Sequence, residues 1–478
     1  MKRILFGTLI ALVTMCSVAG AQPVDDLLLH PSKIVPPPLK FKPDRPKRLV
    51  APNGMIVYLL EDHELPLVYL RAMVRTGSYL EADDKVGLTD LVGTVMRTGG
   101  TEKMTGDQID EELEYVAGSV ETFVGDESGG ASLNILKKDF DRGLEIFADV
   151  LTHPVFDQKK IDLRKHSMME AIRRRNDNPG DITRREWRRL VYAGHPFARI
   201  STMKSVASIT RQDLVDFHQK YFFPNNVILT ATGDFTEAEL MAKLEKAFAG
   251  WKPREEKIPP APEVALKFAP SLNHIQKKIP QTNIRMGHLG VTKSDPDWYA
   301  LEVMDNILGS GGFVSRLMRE VRSNRGLAYS VGSAVTGGRT RGVILASCQT
   351  KVASTVETMT LMTEIIKGMQ EKPVTPEELK IAKDSILNSF VFQFTSSYGI
   401  ATQQADLEYL GLPPDWLETY RDKIAAVDAD AVMAVAKKHL HPDQMTIMVV
   451  GDSAKFDKPL TTLGEPKELP LTDWTKDQ

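Results

Sequence analysis

ASITRQDLVDFHQKYFFPNNVILTATGD, residues 207–234, lies without a gap over AAVDADAVMAVAKKHLHPDQMTIMVVGD, residues 425–452. In each copy an N-cap candidate, Thr210 or Asp428, precedes a helical pattern and a proline, Pro224 or Pro442, ends it. An apolar strand then closes on Gly233-Asp234 or Gly451-Asp452. The same helix, turn and strand built twice predict two related domains. Between the copies, the proline-dense KPREEKIPPAPEVALKFAPS, residues 252–271, reads as a linker. Helices and strands come in runs rather than in strict β-α-β alternation. The expected fold is therefore α+β: two homologous domains, each a mainly antiparallel sheet with helices packed on one face.

Working outward, the N-terminal domain is expected over residues 49–250, the linker over 251–271, the C-terminal domain over 272–456 and a tail over 457–478. Residues 1–21 carry Lys2 and Arg3, an apolar run from Ile4 and a small-residue exit at Ala19-Gly20-Ala21, the pattern of a cleavable secretory signal. A proline-rich, irregular lead, 22–48, follows it. Cleavage near Ala21 leaves Cys348 as the one cysteine and no disulfide, and no other apolar run is long enough to span a membrane. A periplasmic or secreted bacterial protein is the expectation. The net charge of -3 gives no reason to expect nucleic acid or an anionic membrane as partner. Basic runs at Arg173–Arg175 and Arg184–Arg189 read as a solvated helix face.

Within the N-terminal domain, strands are expected on both sides of the Glu64-Leu65-Pro66 break. Helices are expected from Gly87 and around Gln108, a strand pair over VETFVGDESGGASLNIL, and a long helical tract from Lys137 through Arg189. The helix after Gly87, GLTDLVGTVMRT, puts Leu88, Leu91, Val92, Val95 and Met96 on one stripe and Asp90, Gly93 and Thr94 on the opposite side. Gly93 costs about 1 kcal/mol there relative to Ala, without return unless something packs closely on it. In the C-terminal domain, a helix through Phe313, Leu317, Met318 and Val321 ends near Gly326, and LAYSVGSAV continues as a strand. Arg322 and Tyr329 flank that corner. GSGG, residues 309–312, reads as a flexible turn into the helix and not as a phosphate loop, because it lacks the Lys and Ser/Thr.

The series NGMIVYLLEDHELPLVYLRAMVRTGSYLE, GLTDLVGTVMRTGGT, HPF at His195 and ITRQDLVDFHQKYFFPNNVILTATGD resembles the pitrilysin/insulinase family of zinc peptidases, in its processing-peptidase-like branch. The resemblance covers the chain from Leu49 onward. Active members carry HxxEH on the first helix and a distal glutamate ligand. Here the first His falls on Asp90, the Glu on Gly93 and the second His on Thr94, while Glu170 matches the distal ligand. Three of the four positions depart from the pattern. Glu170 alone cannot hold zinc, which needs three or four protein ligands, and its ordinary reading is a surface helix glutamate among basic residues.

The resemblance also implies that Arg322 and Tyr329 bind the substrate backbone. The implied function is a non-catalytic, substrate-binding subunit of a heterodimeric zinc metallopeptidase acting on peptides or unfolded segments. No cofactor is expected in this chain, and zinc is expected in a related HxxEH-bearing partner. The alternative is a peptide-binding or scaffold pseudoenzyme with no catalytic contribution.

Overall fold

The computed structural model describes residues 44–476. The signal-like segment 1–21 and most of the lead lie outside the described residues. In the first half, strands β1 (Lys47–Val50), β2 (Ile56–Glu61), β3 (Leu67–Arg75), β4 (Ser119–Val124), β5 (Ser128–Leu136) and β6 (Val227–Gly233) form one sheet in the order β1-β2-β6-β3-β5-β4. In the second half, β7 (Ser271–Gln276), β8 (Gln281–Leu289), β9 (Ala328–Val335), β10 (Val343–Lys351), β11 (Thr446–Gly451) and β12 (Pro466–Glu468) form the other, in the order β12-β7-β11-β8-β10-β9. The β2–β6, β7–β11 and β7–β12 pairs are parallel and the rest antiparallel. The mixed, mainly antiparallel α+β architecture is as the sequence predicts, but helices cover both faces of the first sheet and not one.

The repeated unit occupies equivalent places in both sheets. Thr210 Oγ1 accepts from the Asp213 N–H and the Asp428 carboxylate from the Ala431 N–H, each closing the first turn of its helix. The strands that follow, β6 and β11, are each the third strand of their sheet. The edges differ: β1 enters from upstream of the first sheet, whereas β12 reaches the second from beyond Asp452. The segment expected as a tail thus supplies a strand, and Glu468 on it accepts a hydrogen bond from the buried His274 at 2.8 Å. The lead contributes too, since β1 starts at Lys47.

The first sheet packs its Val57, Leu59, Val68, Leu70, Leu133 and Leu229 face against its own helices. Its opposite face, with Tyr58, Met73 and Ile228, is crossed by helix Ser397–Leu410 from the second half through Ala405 and Tyr409. Ion pairs pin that helix: Arg48 grips Glu408 with two hydrogen bonds of 2.7 and 2.9 Å, Tyr58 donates to the same carboxylate at 2.6 Å, and Arg71 meets Asp406 at 2.8 Å. The second sheet receives the reciprocal helix, Pro179–Val191, whose Ile182 and Trp187 pack on Ile275, Leu289, Met448 and Val450. This exchange joins the halves into one unit.

Three further sequence expectations change. The helical tract expected from Lys137 to Arg189 is three helices, Phe140–Thr152, Gln158–Arg173 and Pro179–Val191, interrupted near Pro154 and restarted at Pro179 because proline cannot continue the hydrogen-bond ladder. The basic runs are only partly solvated. Arg175, Arg185 and Arg189 stand 5.2, 5.5 and 5.4 Å from the ring centroid of the buried Trp474, so the end of the chain is clamped onto the first half. GSGG is not a loose turn. An added Cβ at Gly309 would lie 2.3 Å from the Ser333 nitrogen on β9, and the chain forms π-helical turns at Asn306–Ser310 and Met318–Asn324 in place of one regular helix.

Candidate functional site

The helix Leu88–Thr98 forms where the apolar stripe predicts it, and Leu91, Val92, Val95 and Met96 are fully buried. Its start is fixed by a residue the sequence reading missed. The buried Glu81 carboxylate accepts from the N–H groups of Gly87 and Thr89 at 3.2 and 2.8 Å and from the Thr89 hydroxyl at 2.7 Å. Burial nevertheless holds its pKa above the ordinary glutamate value. An N-cap is normally sought in the residue adjacent to the helix, and this one acts from further upstream.

The side expected to be bare is covered. Strand β4 packs across it so closely that a Cβ on Gly93 would stand 2.5 Å from the Val124 nitrogen and 2.9 Å from the Phe123 carbonyl carbon. Thr122 Oγ1 on the same strand donates to the Gly93 carbonyl at 2.6 Å. Asp90, three residues earlier, is held by Arg164 of helix Gln158–Arg173 through hydrogen bonds of 2.8 and 2.9 Å. Thr94 accepts at its carbonyl from Thr98 Oγ1 at 3.0 Å. Glu170 lies on the Arg164 helix, but its ion pair is with Arg173, one turn on.

Arg322 and Tyr329 are brought together. Arg322 sits in the π-helical turn Met318–Asn324, Gly326 reverses the chain with φ of 62°, and Tyr329 follows near the start of β9. The guanidinium carbon lies 4.7 Å from the Tyr329 ring centroid and 4.8 Å from that of Phe313. Both rings are mainly exposed, at 73% and 64%. Phe313 was read only as a helix stripe residue. Its part in the cluster follows from the break in the helix, which the glycine spacing hinted at without specifying.

A family model described as insulinase (peptidase family M16) matches residues 56–203, and one described as the peptidase M16 inactive domain matches residues 208–386. The chain belongs to peptidase family M16. A crystal structure of a peptidase M16 inactive domain from Pseudomonas fluorescens superposes with a TM-score of 0.78 at 27% identity, covering 85% of this chain and 98% of that one. The chain is also 25% identical over 399 residues to an uncharacterized zinc protease of Rickettsia felis, spanning 81% of this chain and 93% of the relative. With the non-peptidase homolog YmxG of Helicobacter pylori it shares 24% over 398 residues, 83% and 91% of the two chains. The names of these M16 relatives cover both cases, a zinc protease and a non-peptidase homolog.

The residues at the M16 zinc position do not fit the metal. Asp90 already has a guanidinium for its counter-cation, Gly93 offers no donor, Thr94 is a poor zinc ligand and Glu170 is occupied on its own helix. Among the described residues, three or more possible ligands converge only at Asp295, Asp297 and His439. There Lys438 Nζ and His439 Nε2 both lie 2.7 Å from one Asp297 oxygen, an ion-paired arrangement complete without a metal. No local spacing could have shown it, because its members come from opposite ends of the second half.

Proposed function

We propose that this chain is the non-catalytic, substrate-binding subunit of a heterodimeric zinc metallopeptidase acting on peptides or unfolded segments, with the zinc in a related HxxEH-bearing subunit. The observation that carries the reading is the Phe313–Arg322–Tyr329 stack. Beyond these ring contacts the Arg322 guanidinium has neither a hydrogen bond nor an ion pair among the described residues, so its N–H groups can donate to peptide carbonyls. The Tyr329 hydroxyl beside it can donate to a carbonyl oxygen gaining charge. Two large rings left in water next to an arginine are the composition of a contact surface, not of a solvated loop. The pressed Gly93 accords with a subunit that has kept its packing after losing its metal. The signal-like first residues support a periplasmic or secreted location, and no helix among the described residues is long and apolar enough to cross a membrane.

The test is co-expression with an HxxEH-bearing relative and a peptide-cleavage assay on the purified complex. Arg322→Ala and Tyr329→Phe are each expected to lower cleavage on the order of 100-fold while the complex stays intact. Unchanged cleavage would favour a scaffold, and failure of the two chains to associate would remove the heterodimer.

A further inference from the structure

The turn after β4, the helix Pro179–Val191, β8 and the turn between β9 and β10 line an open pocket of about 350 Å³ where the two halves meet. Its lining includes the rings of Trp187, Tyr192 and Phe197 and the side chain of Leu345. Interleaved with them are Arg184, Arg188, Arg285 and Arg341, with Arg188 5.8 Å from the Phe197 ring centroid, and the carboxyl groups of Asp126 and Glu127.

Three of these arginines have partners. Arg188 pairs with Asp126 and Arg184 with Asp181, both at 2.7 Å, and Arg341 donates to the Gly290 carbonyl at 3.1 Å. Glu127 is bonded to Thr340, and burial lifts its pKa above the ordinary glutamate value. Arg285 differs: among the described residues its guanidinium has neither a hydrogen bond nor an ion pair. Its neighbour is the Trp187 ring, 5.5 Å away, and that indole is fixed by its own N–H bond to the Thr446 carbonyl at 2.8 Å. Partial burial, and after it the like charge of Arg184, lower the Arg285 pKa. A partly buried guanidinium without an anion is unfavourable, and Arg285, which lines the pocket with its N–H donors uncommitted, carries the planar fork that binds a carboxylate bidentately.

We propose that this pocket binds the α-carboxylate of a peptide's C-terminal residue, with Arg285 as the principal donor and the aromatic rings taking an apolar side chain. The inference rests on the peptide-binding reading above and names which end of the peptide is held. The volume sits at the low end of ligand pockets, about 300–1,000 Å³, and suits one residue. Strand β9 carries Tyr329 near its start and ends at Val335, beside the rim residue Thr336, so Tyr329 and the rim are roughly 23 Å apart at about 3.3 Å per residue. An extended peptide held at Arg322 could therefore place its terminus here. A phosphate would also suit the arginines, but the aromatic rings give it nothing.

Isothermal titration on the full chain tests this with N-acetyl-phenylalanine, its amide, and one extended peptide ending in Phe, with free or amidated terminus. Both acids are expected to bind about 10-fold or more tightly than their amides. Arg285→Met, which keeps an aliphatic stem over Trp187 and removes an unpaired charge, is expected to abolish that difference without lowering the melting temperature. Equal affinity of acids and amides in the native chain overturns the assignment whatever the variant does. So does an acid preference that survives Arg285→Met, or inorganic phosphate competing as well as the acids. If the peptide binds in an Arg322-dependent way without acid preference, this inference fails and the peptide-binding reading stands. If only N-acetyl-phenylalanine binds, the pocket takes single acylated amino acids and the peptide assignment falls. No binding by any probe overturns both.

Discussion

Gly93→Ala should destabilise the protein, although alanine is the better helix former. In a helix interior open to solvent the change is worth about 1 kcal/mol in favour of alanine. At position 93 the new methyl would stand 2.5 Å from the Val124 nitrogen and 2.9 Å from the Phe123 carbonyl carbon. Those atoms are backbone, and β4 is registered on β5 with Val124 opposite Gly129, so no side-chain rotation relieves the clash. Overpacking of this kind costs typically about 1–3 kcal/mol, and an obstacle made of backbone belongs at the upper end. The net expectation is a loss of about 2 kcal/mol, or about 4–8 °C in the melting temperature for a half of this size. Gly368→Ala is the internal control. It makes the same change in helix Thr355–Glu371, where an added Cβ meets nothing within 4 Å, and should be neutral to stabilising by up to about 1 kcal/mol. Urea and thermal unfolding followed by circular dichroism compare the two. A Gly93→Ala protein as stable as the native one, or equal responses at both glycines, would refute the account of β4 as the reason for Gly93. The same clash predicts that Gly93→Glu, combined with Asp90→His and Thr94→His, yields a less stable chain without stoichiometric zinc by metal analysis.

Acidification should weaken both halves. Burial pushes His218 and His288 down to about 4. His288 is fixed as the neutral form, its Nδ1 donating to the Leu289 carbonyl and its Nε2 accepting from the His441 N–H. Between pH 4 and the unfolded value near 6.5 the unfolded chain binds more protons. Stability is therefore complete above pH 6.5 and falls as pH drops toward 4, by on the order of 3 kcal/mol per histidine. Unfolding measured across that window should flatten in His288→Gln, and an unchanged slope would count against the buried neutral imidazole. Trp474→Ala removes a buried ring from among three guanidiniums and should cost about 3–5 kcal/mol, read from unfolding midpoints. A loss below about 1 kcal/mol would mean that the end of the chain is not clamped.

The sequence carried what is local. The duplicated helix, turn and strand, the Thr210 and Asp428 caps, the buried stripe from Leu88 to Met96 and the Arg322–Tyr329 corner all follow from period, capping and chain reversal, which act over a few residues. The tertiary structure decided what fills the space around them. Helix Ser397–Leu410 crosses the first sheet and Pro179–Val191 the second, β12 arrives from beyond the second repeat, and Trp474 enters a cage of arginines from the first half. The meaning of Gly93 was decided there as well. By itself it is a helix glycine with a local cost, and only the arrival of the β4 backbone gives it a reason. An amphipathic pattern records that a face is buried but not by which distant segment. Partner choice depends on shape and charge matched across many residues, and no local period contains it.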